Sequence, residues 1–158
     1  MAATQKRTLD FHTGDEVIAE IQNLRSSGYA KTKNWNLTQI CEHFTSTMVG
    51  EMEGLGFRFP WIVRATFGKW LTHRFLKTRK MPGVPTLPSL QPKSLADSED
   101  DTIIEGCIRA ISQCETFAGS LDDYPFVDNL DHDEWRQLMW VHAGHHLSFL
   151  IPNESSEI

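Results

Sequence analysis

The stretch DHDEWRQLMWVHAGHHLSFLIP, residues 131–152, sets three histidines inside an apolar, helix-forming run. Asp131 followed three residues later by Glu134 is a capping-box pair, each side chain satisfying the other's backbone N–H at a helix start. From there Trp135, Leu138, Met139, His142 and Phe149 recur on one face, and Pro152 bars continuation. The pattern predicts a helix over 132–150. A helix with one apolar stripe must bury that stripe against a partner.

Three more such stripes lie upstream. Thr13 with Glu16 opens a helix over 14–27 that aligns Val17, Ile18, Ile21 and Leu24 until Ser26, Ser27 and Gly28 stop it. Asn36 with Gln39 opens a second over 36–53, carrying Leu37, Ile40, Cys41, Phe44, Met48 and Met52 before the glycines at 54 and 56. The acidic run Asp97 to Asp101 suits a helix N-terminus and its dipole, and a third helix over 98–118 runs through Ile104, Cys107, Ile108, Ile111, Cys114 and Phe117. No strand pattern is legible. The expected fold is therefore all-α, an antiparallel four-helix bundle. Between its second and third helices Pro60 opens an extra helix over 61–79, with Val63, Phe67, Trp70 and Leu71 at helical spacing. MPGVPTLPSLQP, residues 81–92, then reads as a proline-rich crossover. No repeat or boundary divides residues 1–158, which read as a single domain.

At 40% hydrophobic and 23% charged the chain has the makings of an ordinary core. It lacks the apolar run of about 18–20 residues that a spanning helix needs, and its first residues show no secretory signal, so a cytoplasmic protein is expected. Cys41, Cys107 and Cys114 are odd in number and sit in apolar patterns, which reads as buried free thiols. The net charge of −6 argues against a nucleic-acid binder. Charge is unevenly spread: 54–96 holds no Asp or Glu but eight basic residues, Arg58, Arg64, Lys69, Arg74, Lys77, Arg79, Lys80 and Lys93. That segment either pairs with the acidic helices or attracts an anionic molecule.

A helix advancing about 100° per residue puts His142 and His146 one turn apart with His145 beside them. Imidazoles at i and i+4 can converge on one ion at about 2.0–2.1 Å, and a third ligand has to come from another helix. His43 is the natural supplier, although it sits off the centre of its apolar stripe, on a flank with Ile40, Thr47 and Gly50. His145 is an alternative to His146, and core packing is the alternative to any metal. His12, His73 and His132 read as structural or surface residues.

NWNLTQICEHF, with Trp35 eight residues before His43, followed about 100 residues on by HDEWRQLMWVHAGHHLSFLIP, resembles the DinB/YfiT-like superfamily, in a bacterial branch known as a domain of unknown function. The resemblance runs from TLDF near the start to Pro152 and takes in MPGVP and YPFVDNLDHDEW. It implies a four-helix bundle with a three-histidine metal site at His43, His142 and His146, holding a divalent ion such as zinc, nickel or iron. It also implies metal-dependent transfer or use of low-molecular-weight thiols. His146 is followed here by Leu147, Ser148 and Phe149, where many such relatives carry Arg and then Gln.

Two functions follow from different classes. One is a metal-dependent transferase or hydrolase acting on a small anionic or thiol substrate. The other is a non-catalytic bundle whose histidines pack or hold a structural ion, with 57–80 as a protein-binding or dimer surface. A homodimer is expected, and neither a nucleic-acid nor a membrane partner. Glu42, Asp128, Asp131 and Asp133 do not qualify as a general base, since Glu42 points away from His43 and the aspartates lie at a helix entrance.

Overall fold

Each capping pair read from the sequence closes a helix start. The computed structural model describes residues 6–82 and 86–154. In α1, Gly14–Ser27, Thr13 Oγ1 accepts from Glu16 N at 3.3 Å and Glu16 Oε2 accepts from Thr13 N at 3.3 Å. A short strand β1, Tyr29–Lys31, follows. In α2, Leu37–Glu53, Asn36 Oδ1 accepts from Gln39 N at 2.9 Å and Gln39 Oε1 from Asn36 N at 3.0 Å. Trp61–Val63, Arg64–Gly68 and Lys69–Thr78 then run on as one helix, α3, whose middle part is wound as a π-helix. Asp100 Oδ1 caps α4, Asp101–Thr116, from Thr102 N and Ile103 N. Asp131 and Glu134 cap α5, His132–Leu147, reciprocally at 2.8 and 3.3 Å. A second strand, β2, Leu150–Pro152, completes the order.

The chain is mostly helical, and α1, α2, α4 and α5 share one apolar interior. α4 lies against α1 and α2, α5 against α1 and α2, and α3 against α5. Val17, Ile21, Phe44, Met48, Ile104, Ile111, Trp135 and Trp140 are fully enclosed. Each such side chain contributes roughly 1.5–3 kcal/mol by leaving water. Cys41, Cys107 and Cys114 are free thiols in this core, as expected. Among the described residues no helix is long and apolar enough to cross a membrane.

Two expectations need correcting. The last helix stops at Leu147 rather than 150, so Phe149 is not on its stripe, and Leu150–Pro152 pairs antiparallel with Tyr29–Lys31. Three-residue strands are too short to display a period of two, and for that reason periodicity missed the sheet. Thr32 N and Oγ1 both donate to Phe149 O, at 2.9 and 3.0 Å, extending the link beyond the strands. In α3, Val63 and Leu71 are half-buried but Phe67 and Trp70 face solvent. A π-turn takes more residues than an α-turn, so it carries the positions beyond it round the axis and splits a stripe drawn at 3.6 residues per turn. The cause is visible at Gly68, where a Cβ would stand 2.0 Å from Phe126 O. In the proline-rich crossover, residues 83–85 lie outside the described residues, and Pro88–Leu90 forms a single 3₁₀ turn against α2.

Glu51 is the one acidic residue of α2 drawn fully inside, where its Oε2 accepts from Trp135 Nε1 at 2.8 Å. Burial pushes its carboxyl up to about 8, against an ordinary 4.5, with the Trp135 bond opposing only in part. A raised folded-state value means that the stability from the neutral acid is complete below about pH 4.5 and is lost as pH rises toward 8. Denaturant unfolding at a series of pH values should show the wild type losing stability relative to Glu51→Gln across that window, by on the order of 5 kcal/mol. Parallel curves for the two proteins would refute the linkage.

Candidate metal centre

His43 enters from α2, and His142 and His146 from the last two turns of α5. Their neighbours on each helix are core residues: Phe44 and Thr47 beside His43, Ala143 and Leu147 beside the α5 pair. Burial of those neighbours draws the imidazoles into the α2–α5 seam. His43 is only 4% exposed despite its place on the flank of the predicted stripe, because the 3₁₀ turn at Pro88–Leu90 covers that flank. His142 and His146 are half-buried.

The three Nε2 atoms converge. His43 Nε2 lies 3.1 Å from His142 Nε2, and His146 Nε2 lies 3.0 Å from the same atom. All three ligand atoms fall within 4.8 Å of one another. His43 Nδ1 is 2.8 Å from Leu90 O, and a carbonyl only accepts, so Nδ1 holds the proton and Nε2 presents a lone pair. His142 Nε2 has at most one proton to offer two nitrogen neighbours. Without a further group, at most one of the two contacts is a hydrogen bond, and the other sets two nitrogens together unsatisfied. Nitrogens bound to one ion at about 2.0–2.1 Å stand about 2.9 Å apart at right angles and about 3.3 Å apart at tetrahedral angles, and the two separations fall between these. The donor set therefore fits a divalent metal.

Electrostatics favour the ligand form. Burial, then the neighbouring His43 and His145, hold His142 down to about 3, and burial with the same neighbours holds His146 far below the usual imidazole range. Burial lowers His43 as well, although the Leu90 carbonyl works in the other direction. Neutral imidazoles are what a metal requires.

Aromatic rings wall the cluster. Trp35 stacks on His146 with centroids 5.4 Å apart and planes 20° apart, and lies 5.2 Å from His43. Phe44 meets His142 and His146 edge-on at 5.6 and 5.8 Å. His145 stays outside the trio, its ring against His146 and Phe149 and its buried Nδ1 without a hydrogen-bond partner among the described residues. Two surface clefts of 380 and 360 Å³ lie elsewhere, lined by no histidine of the trio, while His142 and His146 are themselves half-buried.

A model of the family of proteins of unknown function called DUF1569 matches residues 3–153. The chain belongs to the DUF1569 family. Neither a curated protein nor a solved structure matches it. Within this DUF1569 chain the remaining histidines behave as read from the sequence: His12 meets Asp10 at 3.1 Å, His132 meets Gly119 O at 2.6 Å, and His73 is exposed. The discounted acids are engaged elsewhere. Glu42 accepts from Ser94 N and Oγ, Asp128 from Arg58 and Arg64, Asp131 caps α5, and Asp133 pairs with Arg136.

Sequence reasoning missed the Leu90 carbonyl and the roles of the rings at Trp35 and Phe44. Leu90 lies in a proline-rich loop 47 residues from His43, and no local pattern announces such a contact. The placement of Trp35 eight residues before His43 was visible, but its stacking partner was not. Trp35→Ala should weaken the metal affinity of the protein about tenfold by freeing the His146 ring, with little loss of helicity. Competition against a chromophoric chelator measures this, and unchanged affinity would show that the stacking does not orient the ligand.

Proposed function

We propose that this protein is a divalent-metal-dependent enzyme of the DinB/YfiT-like kind, a transferase or hydrolase, with His43, His142 and His146 as the metal ligands. In this reading α1, α2, α4 and α5 form the antiparallel bundle, and α3 with the proline-rich crossover is inserted between its second and third helices. The observation that carries it is the fixed tautomer of His43 at the meeting point of three Nε2 atoms. A metal-ligating histidine usually gives its other ring N–H to a carbonyl or carboxylate, and Leu90 O takes that place. Zinc, nickel and iron all suit such a donor set. When bound, the ion supplies a Lewis acid and lowers the pKa of a water or thiol beside it.

The rest of the site supports a small anionic or thiol substrate. Lys33 Nζ lies 4.2 Å and Lys6 Nζ 5.6 Å from the centre of the Phe149 ring, and Phe149 packs on His145 beside His146. Burial first, then the positive field of Lys6 and Lys33, holds His145 down to about 4. Both lysines come from outside the basic segment at 58–80, so substrate charge is read here by residues near the chain start and the loop after β1.

The engaged state of Glu42, Asp128, Asp131 and Asp133 favours a second reading, a structural ion without catalysis. Cobalt substitution separates the two: azide should alter the visible spectrum of the cobalt protein if a coordination position is open, and leave it unchanged if the ion is structural.

The ligand set is tested by elemental analysis of protein prepared without a histidine tag or nickel resin. Replacing His43, His142 or His146 singly with Ala should remove most of the bound ion, while His145→Ala should retain it. Chelation should lower the melting temperature of the wild type and leave that of His142→Ala unaltered, because only a ligand lends the folded state binding energy that a chelator withdraws. Equal metal content in wild type and His142→Ala would end the three-histidine proposal.

A further inference from the structure

We infer that the outer face of α3 is a docking surface for an anionic lipid membrane. Trp61, Ile62, Phe67 and Trp70 are 67%, 56%, 59% and 56% exposed, in a chain whose other three tryptophans are buried or half-buried. They are not scattered. The Phe67 and Trp70 rings lie 6.0 Å apart, and the Arg74 guanidinium sits 5.7 Å from the Trp70 ring centre, so aromatic and cationic groups form one patch. Phe59, 39% exposed, extends the apolar surface just before the helix.

The opposite side of α3 fixes how this patch is presented. Gly68 is buried so closely on the Phe126 carbonyl that no side chain fits, and Arg79 at the helix end bonds Asp10 Oδ1 at 2.5 Å, Gln137 Oε1 at 2.9 Å and Phe11 O. A helix held along one side and at its end offers the other side to solvent.

Charge decides the occupant. Of the cations in this region, Arg58 and Arg64 share the single carboxylate of Asp128, which offsets one of their two charges, and Arg79 pairs with Asp10. Lys69, Arg74 and Lys77 make no ion pair with a described carboxylate, Lys69 standing at the rim of a cleft that Asp128 and Glu134 also line, and the sequence from 54 to 96 holds no acid to pair with them. Two copies docking this face symmetrically would set these cations against one another, which opposes the homodimer expected through this segment. A sheet of anionic headgroups instead matches them, while Trp, Phe and Ile enter the boundary between headgroups and acyl chains. No membrane partner was expected because the chain lacks a spanning segment, but surface docking needs none.

Co-sedimentation with sucrose-loaded vesicles tests this. The full chain should pellet with phosphatidylcholine vesicles containing phosphatidylglycerol and not with phosphatidylcholine alone, and high salt should release it. Tryptophan emission should shift to the blue on binding. Trp61→Ala with Trp70→Ala should abolish the shift and most of the binding. Lys69→Gln, Arg74→Gln and Lys77→Gln combined should weaken binding roughly a hundredfold, with the circular dichroism of both variants unchanged. Equal partition onto the two vesicle types, or none onto either, overturns the inference. So does a wild-type dimer in sedimentation velocity that the double tryptophan variant dissociates, which would assign the face to a second copy. A blue shift with polyglutamate but not with vesicles would assign it to an acidic protein and would overturn it too.

Discussion

α1, α2 and α4 each carry an apolar stripe, α5 is buried round most of its circumference, and the four remove that surface from water by packing together, with α3 covering a further side of α5. This constraint places the histidine cluster. His43 sits between core residues on α2, and His142 and His146 between core residues on α5, so the packing that hides Phe44, Trp140 and Leu147 sets imidazoles from two helices face to face. The same burial keeps them uncharged, because an imidazolium packed among Trp35, Phe44 and two other imidazoles loses most of its hydration and faces other imidazoles. Packing and ligand chemistry are thus one consequence of one seam.

The cluster is completed by parts of the chain that lie outside these four helices. The loop before α4 covers His43 and fixes its tautomer through the Leu90 carbonyl. The two-stranded sheet ties the exit of α1 to the exit of α5, and with it holds Phe149 and the segment leading to Trp35 beside the histidines. The sheet also serves the core, because Leu150 of β2 is fully buried against it, so site geometry and packing are tied at this point.

Polar burial divides the molecule into two ends. Near the C-terminal end of α2 the interior holds Glu51 and the Trp135 indole, a pair satisfied by one hydrogen bond and neutral in the folded protein. Two turns earlier on α2 the interior holds His43, whose hydrogen bond leaves a lone pair free. One helix therefore carries both a closed polar contact and an open one, and only the open one offers ligand chemistry. The third helix adds a different asymmetry, since its π-wound middle lets Gly68 meet Phe126 while it turns Phe67 and Trp70 outward.

The sequence by itself determined the helices and the identity of the histidines. Three reciprocal capping pairs, at Thr13, Asn36 and Asp131, and the spacing of apolar residues are local signals, and local signals survive without tertiary context. The i, i+4 spacing of His142 and His146 is equally local. Only the tertiary structure decided that His146 and not His145 joins the cluster, since both lie on the inward arc and the choice depends on where α2 delivers His43. It alone decided the Leu90 contact, the pairing of Tyr29–Lys31 with Leu150–Pro152, and the outward turn of Phe67 and Trp70. Each of these joins residues far apart in the chain or hangs on one backbone approach, and neither leaves a period in the sequence to read.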